Sequence, residues 1–117
     1  MKILYHSKKT EKLCCDYKMM VKSLGNNTAN KLSDLMTLME AAENLFDIST
    51  FPQYRLHGLT GNRKCQYSIF ISKGTKWRLI VYPLDENERL LINKGNERSL
   101  LVRAVKVEVI EVSEHYA

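Results

Sequence analysis

Several signals that would place a protein in a familiar class are missing from this sequence of 117 residues. No apolar run reaches the length that a membrane span requires, and the apolar stretch before Ser7-Lys8-Lys9 is too short for a signal peptide. We therefore expect a cytoplasmic protein. Internal repeats are absent, and a second hydrophobic core would be too small to be stable. Residues 1–117 are thus expected to form one domain.

Cysteine and histidine are too few and too scattered to indicate a disulfide framework or a metal site. The three cysteines, Cys14, Cys15 and Cys65, are an odd number without C-x-x-C spacing. This favours reduced thiols that pack as small apolar side chains over a redox or metal role. Neither His6 nor the acidic residues complete a metal-ligand motif. We therefore expect no metal ion and no other cofactor.

Acidic residues are missing from one long stretch of the chain. Residues 54–82 contain six basic residues and no Asp or Glu, whereas residues 1–53 carry seven basic and six acidic residues and residues 83–117 carry five and seven. The net charge of +5 is therefore concentrated in the middle. Such a field favours a polyanionic ligand, although clustered charge also occurs on a solvated face without a ligand. The basic residues are Arg55, Arg63, Lys64, Lys73, Lys76 and Arg78.

The basic stretch also has the pattern of a β-hairpin. Side-chain types alternate from Tyr67 to Ser72 and again from Trp77 to Tyr82, and turn-forming residues lie between these runs. We expect Tyr67 and Trp77 to contribute to the core beneath the basic face.

A short strand and a glycine-containing loop are predicted at residues 56–64, just before the hairpin, and they carry His57. An imidazole can transfer a proton near neutral pH, and guanidinium groups can stabilise charge on a phosphate. The arrangement therefore suits phosphodiester chemistry. A solvated histidine that merely follows a strand is the alternative explanation of His57.

The N-terminal half predicts a strand and two helices. Residues 2–6 have the alternation of a short strand. Apolar residues at helical spacing over residues 13–24 predict one amphipathic helix, which Ser7 or Thr10 could cap. A second helix is predicted at about residues 28–46. Together the two helices would form an α-hairpin.

The C-terminal part predicts a surface excursion and a final strand. Residues 83–88 are predicted to turn the chain away from the sheet, and residues 90–102 are interpreted as a surface excursion. Val105, Val107 and Val109 then alternate with charged residues, but Ile110 and Val112 are the apolar positions further on. A β-bulge near Val109 would explain this change of phase and would redirect the residues that follow. A fully buried strand, which needs no alternation, is the other explanation.

Four motifs make the sequence similar to a known family. Residues 56–64 match a loop of the form LH-x-L-x-G-(D/N)-R-K, residues 66–69 the strand after it, residues 77–80 a (W/Y)-R-(L/I)-I strand, and residues 109–112 the last strand. On these residues the chain resembles the HigB-type branch of the RelE/ParE toxin superfamily, the plasmid maintenance killer proteins. The resemblance covers most of the chain and is weak before about Leu45.

The predicted order of strand, helix, helix and then three or four strands favours an α+β domain. The resemblance implies a RelE-like version, in which two N-terminal helices pack on a twisted, mainly antiparallel sheet of four to five strands. It also implies a metal-independent, ribosome-dependent mRNA endonuclease. A cognate helix-turn-helix antitoxin of the HigA type would neutralise it, and operator DNA would be bound only through that antitoxin.

The resemblance also implies the site residues. An RNA 2′-hydroxyl would attack the adjacent phosphate, with a histidine moving the proton and cations holding the phosphate. The family ends in Asp-Tyr-His, whereas this chain has Glu114-His115-Tyr116, and exchanging neighbours on a strand moves each ring to the opposite face. An ordinary disordered terminus is the alternative for this tail. The expected catalytic residues are His57, Arg78, Glu114, His115 and Tyr116, and the expected RNA-binding residues are Arg55, Arg63, Lys64, Lys73 and Lys76.

Two other functions are compatible with the same fold. A ParE-like toxin would bind and poison DNA gyrase without cleaving RNA. A degenerate, non-toxic member would act only with its antitoxin as a co-repressor. The feature that separates these from the nuclease is the set of His57, Arg78, His115 and Tyr116, because a protein that only binds has no need of groups for proton transfer.

Overall fold

A five-stranded sheet is the centre of the fold in the computed structural model, which describes residues 1–72 and 76–114. The strands are arranged in the order β1-β5-β4-β3-β2. The first and last strands, β1 and β5, are parallel, and the other neighbours are antiparallel. The strands are β1 (Lys2–Tyr5), β2 (His57–Gly58), β3 (Tyr67–Phe70), β4 (Arg78–Leu84) and β5 (Lys106–Ser113).

The predicted hairpin is confirmed as β3 and β4. Tyr67 pairs with Val81 and Ile69 with Leu79, so these four side chains share one face of the sheet. All four are buried in the hydrophobic core against the helices. Trp77 is only partly buried and packs against the edge of this core.

Five helices accompany the sheet in the described part of the chain: α1 (Lys8–Cys15), α2 (Tyr17–Leu24), α3 (Asn26–Ala41), α4 (Leu45–Ser49) and α5 (Glu97–Arg103). Residues of all five belong to the core cluster on the Tyr67 face of the sheet. None of the helices in this part of the chain combines the length and apolarity that a bilayer crossing requires.

The prediction of one helix over residues 13–24 is wrong, because Asp16 interrupts it. Its backbone is extended (φ −113°, ψ 108°), and its carboxylate accepts a hydrogen bond from the Met19 amide at 3.3 Å. Aspartate competes with the helix interior in this way and favours the capping position. The apolar stripe therefore continues across two helices. Ser7, one of the two candidate caps, does cap α1.

The second predicted helix also ends earlier than expected. Helix α3 stops at Ala41, and the side chain of Asn44 accepts a hydrogen bond from the Asp47 amide at 3.1 Å, which starts the separate helix α4. Phe46 thus belongs to α4. The prediction of two N-terminal helices is therefore wrong in number, and the α-hairpin is replaced by a chain of four helices in residues 8–49.

The prediction that residues 83–88 turn away from the sheet is wrong for Pro83 and Leu84, which lie in β4. The interpretation of residues 90–102 as a surface excursion is wrong for three of its leucines. Leu91, Leu100 and Leu101 are 4%, 3% and 6% exposed and belong to the core. Helix α5 forms here because Asn96 caps it, accepting a hydrogen bond from the Ser99 amide at 3.0 Å. Burial of the paired leucines then holds α5 against the domain.

The predicted bulge in β5 is confirmed. Ile80 pairs with Glu111 and Val81 with Val109, so Ile110 is the extra residue. Val109 pairs with Val81 and Val112 pairs with Leu79, and both partners face the core. In a regular strand, residues three positions apart lie on opposite faces, so it is the bulge that places both valines on the core side.

The three cysteines do not share one environment. Cys14 is 2% exposed, and this burial raises the pKa of its thiol to about 12, as expected of a thiol that packs as an apolar side chain. Cys15 is exposed, so the expectation of a buried thiol is wrong there, and Cys65 is half-buried. The helical register explains the difference, because neighbouring residues point in different directions from a helix.

Candidate functional site

The candidate site lies on the sheet face opposite the helical core, here called the site face. Residues that pair directly across strands share a face. Register therefore places on the site face the residues His57, Ser68, Phe70, Arg78, Ile80, Tyr82, Glu111 and Ser113. Of the predicted catalytic residues, His57 and Arg78 are thus brought to one surface by β2, β3 and β4.

His57 is held by a hydrogen bond to the main chain. Its Nδ1 lies 2.7 Å from the carbonyl oxygen of Arg55. Because a carbonyl only accepts, Nδ1 must carry the proton, and the neutral ring then has its lone pair on Nε2. Its cross-strand partner Ser68 is fully buried, with a hydroxyl that has no hydrogen-bond partner among the described residues. His57 and Ser68 thus lie side by side on the site face.

Two guanidinium groups meet on one aromatic ring. The Cζ of Arg78 lies 3.5 Å from the centroid of the Phe70 ring, and the Cζ of Arg55 lies 4.9 Å from it. Arg78 also donates from Nη1 to the carbonyl of Trp77 at 3.2 Å. Burial, and then the charge of Arg55, lower the pKa of Arg78. The pair is a concentrated positive charge that an anion would stabilise.

The backbone of Arg55 explains how one residue serves both contacts. Arg55 follows a short 3₁₀ turn at Pro52–Tyr54 and has a left-handed conformation (φ 44°), which is uncommon for a residue with a side chain. This conformation directs its carbonyl to His57 and its guanidinium to Phe70. Backbone strain of this kind often occurs at functional positions.

Arg63 is engaged by side chains on the same face. Its Nη2 lies 3.0 Å from Glu111 Oε2, and its Nη1 donates to Gln66 Oε1 at 3.0 Å. Gln66 in turn donates to the hydroxyl of Tyr82 at 3.1 Å. A hydrogen-bonded chain thus links Tyr82 in β4 to Glu111 in β5 through Gln66 and Arg63. A phosphate that binds Arg63 must therefore compete with Glu111.

Four residues of the site face were not predicted from the sequence: Phe70, Gln66, Tyr82 and Glu111. The alternation in the hairpin already placed Phe70 and Tyr82 on the same face as Arg78, and the bulge implied the direction of Glu111. Their partners could not be identified without the register.

The remaining predicted site residues in the described part of the chain lie outside the strands. Lys76 is exposed just before β4, and Glu114, which was predicted to be catalytic, is exposed just after β5. Lys64 is exposed at a separate cleft of about 550 Å³, where the Tyr67 hydroxyl donates to Glu97 at 3.2 Å. Three predicted site residues, Lys73, His115 and Tyr116, lie outside the described residues.

Metal ions have no evident ligand set in the described part of the chain. No group of three or more His, Cys, Asp or Glu side chains there is close enough to hold one. The site face does bring together an imidazole, a side chain that can transfer a proton, and two guanidinium groups, which can hold an anion.

Comparisons with known proteins address the fold. The sequence matches no protein-family model, and no curated protein is similar to it at a significant level. Among solved structures it is similar to a YoeB/ParE toxin from Agrobacterium tumefaciens, with a TM-score of 0.52 and 15% identity over 99% of this chain and all of the other. At this identity the likeness establishes the fold alone. The predicted α+β fold of the RelE/ParE type is thus confirmed.

Proposed function

We propose that this chain is the toxin of a type II toxin–antitoxin system, of the HigB type, and that it cleaves mRNA on the ribosome without a metal ion. The main support for this proposal is the arrangement of the site face, where Arg55 and Arg78 both contact the Phe70 ring beside His57. The fold it shares with a protein described as a toxin, and the motifs at residues 56–64 and 77–80, add support. A cytoplasmic location follows from a ribosomal substrate.

The proposed reaction is an internal transesterification of RNA. Nε2 of His57 takes the proton of a ribose 2′-hydroxyl, and the resulting oxygen attacks the adjacent phosphorus. The bond to the 5′-oxygen breaks, which leaves a 2′,3′-cyclic phosphate and a 5′-hydroxyl. We assign the proton for the leaving oxygen to His115. Arg78 and Arg55 stabilise the negative charge that grows on the phosphate oxygens.

The other cations would extend the contact along the RNA. Arg63 would exchange Glu111 for a phosphate, since both are anionic oxygen ligands of a guanidinium group. Lys64, Lys73 and Lys76 would contact further phosphates, and Glu114 and Tyr116 would orient the reacting groups. A HigA-like helix-turn-helix antitoxin would cover the cationic site face, and operator DNA would be bound through that antitoxin.

The test is induction of variants in cells, with growth and mRNA 5′ ends followed together. His57→Gln should slow cleavage about 10²- to 10⁴-fold because the proton acceptor is lost. Arg78→Ala should lose about 10²- to 10³-fold through unshielded phosphate charge. His6→Gln is the matched control, because His6 is exposed at the end of β1 near Glu108. It should leave cleavage unchanged.

The same experiment separates the alternatives. Growth arrest with intact mRNA and accumulating DNA breaks would replace the nuclease by a gyrase-binding toxin. No arrest in the absence of any antitoxin would leave the non-toxic co-repressor.

A further inference from the structure

We propose that Phe70 is a positioning residue whose ring holds Arg55 and Arg78 together as a two-pronged clamp for one phosphate group. The inference rests on the proposed function only for the identity of the phosphate as part of an RNA. The clamp itself rests on the two guanidinium contacts with one ring.

Both cations contact the same aromatic ring. Their Cζ atoms lie 3.5 Å and 4.9 Å from the Phe70 centroid, and the charge of Arg55 contributes to the lowered pKa of Arg78, so the two guanidinium groups are close enough to interact electrostatically. Arg55 comes from the loop after a 3₁₀ turn and Arg78 from the start of β4. Phe70, at the end of β3, pairs with Arg78 in the register. The ring is therefore the common contact of two residues that the backbone supplies separately.

The Phe70 ring attracts both guanidinium groups and so offsets part of the repulsion between them. The face of an aromatic ring carries partial negative charge and attracts a guanidinium. Two guanidinium groups otherwise repel, and the lowered pKa of Arg78 reflects both its burial and the charge of Arg55. A bound phosphate would neutralise this repulsion. The arrangement is thus most stable when the anion is present, as expected of a binding site.

Core packing does not account for Phe70. The ring lies on the site face, is half-buried and is not part of the core cluster or its packed margin. Phe46 offers a contrast within the same chain. It packs against the core and has the guanidinium of Arg98 at 4.9 Å from its ring centroid. Phe46→Leu therefore removes a similar ring contact away from the site.

The first experiment titrates the purified full chain with inorganic phosphate and follows the Nε–Hε signals of arginine by NMR. We expect the Arg55 and Arg78 signals to shift together in the wild type. Phe70→Leu should weaken phosphate binding about three- to thirtyfold. Phe70→Tyr, which keeps the ring, should retain it, and Phe46→Leu should bind as the wild type does. Thermal unfolding of each variant reports any loss of fold separately.

The second experiment measures cleavage of mRNA on ribosomes by the same variants. Phe70→Leu should lower kcat/KM about three- to thirtyfold, and Phe70→Tyr should restore it. In an Arg55→Gln background only Arg78 remains to hold the phosphate. Phe70→Leu should therefore lower kcat/KM by a smaller factor there. If Phe70→Leu is poorly folded, Arg55→Gln alone tests the clamp, because Arg55 is exposed and its replacement leaves the core intact; it should weaken phosphate binding and lower kcat/KM.

The clamp is overturned if the wild type binds no phosphate at these arginines, or if Phe70→Leu binds it as tightly as the wild type. It is also overturned if Phe70→Tyr loses as much as Phe70→Leu at equal thermal stability. Phosphate binding that depends on Phe70, without cleavage of mRNA by any variant, would keep the clamp and reject the nuclease.

Discussion

Removing the hydroxyl of Tyr67 should destabilise the fold by about 1 kcal/mol at neutral pH. Tyr67 is 4% exposed and donates to Glu97 Oε2 at 3.2 Å, which ties β3 to helix α5. A hydrogen bond to a charged partner contributes about 1.5–3 kcal/mol. Glu97 is exposed and can regain water when the phenol is lost, which reduces the effect to roughly 1 kcal/mol. Tyr67→Phe leaves no cavity, so no packing loss is added.

The same contact predicts a pH dependence. Burial, and then Glu97, raise the pKa of Tyr67 to about 12, from an ordinary value of 10.0 in the unfolded chain. The neutral phenol is therefore favoured by folding. Its contribution to stability is fully present below pH 10 and is lost as the pH rises toward 12. Between pH 9 and 11 the wild type should lose on the order of 1 kcal/mol from this group.

Urea unfolding of wild type and Tyr67→Phe at several pH values measures both effects. The difference between the two proteins should shrink between pH 9 and 11, because only the wild type titrates at this position. Tyr17→Phe is the control, since the Tyr17 hydroxyl also donates, to Asn30 at 2.6 Å, but the residue is 48% exposed. It should change stability by less than about 0.5 kcal/mol. Equal stabilities and equal pH slopes for wild type and Tyr67→Phe would refute the reasoning.

Three further predictions concern capping, charge and packing. Asp16→Ala should cost about 1 kcal/mol in chemical unfolding because α2 loses its cap; a more stable variant would contradict this. Glu111→Gln should cost about 0.5–1 kcal/mol and tighten RNA binding by releasing Arg63; unchanged or weaker binding in a filter assay would argue that Arg63 does not contact RNA. Leu100→Ala should cost about 2–4 kcal/mol, whereas Val102→Ala, at 43% exposed, should cost under about 0.5 kcal/mol; equal losses would count against burial of α5.

The sequence was informative where the pattern is local. Alternation in the hairpin and the change of phase in β5 indicated the strands, the bulge and the direction of Arg78, because a strand alternates its side chains with a period of two. The interruption at Asp16 was missed because apolar spacing continues across it. Capping by one carboxylate overrides that periodicity.

Long-range pairing could not be obtained from local pattern. The burial of Leu91 and Leu100 depends on contacts with distant segments of the sheet and helices. The engagement of Arg63 by Glu111 likewise joins residues 48 positions apart. Charge counting alone does not distinguish Arg63 from Arg78, and the alternation that singled out Arg78 could not show that Arg63 pairs with a carboxylate and Arg78 stacks on an aromatic ring.

The parallel pairing of β1 with β5 sets the order in which the sheet can form during synthesis. Lys2 pairs with Lys106, so nearly the whole described chain lies between the partners. At the usual rate of translation, β5 follows β1 by roughly 5–20 s. Until then β1 has no neighbour in the sheet, and β4, which pairs with β5 in the finished fold, is an open edge. The nascent chain therefore exposes an apolar strand for seconds, and chaperone binding or aggregation competes with folding during that interval.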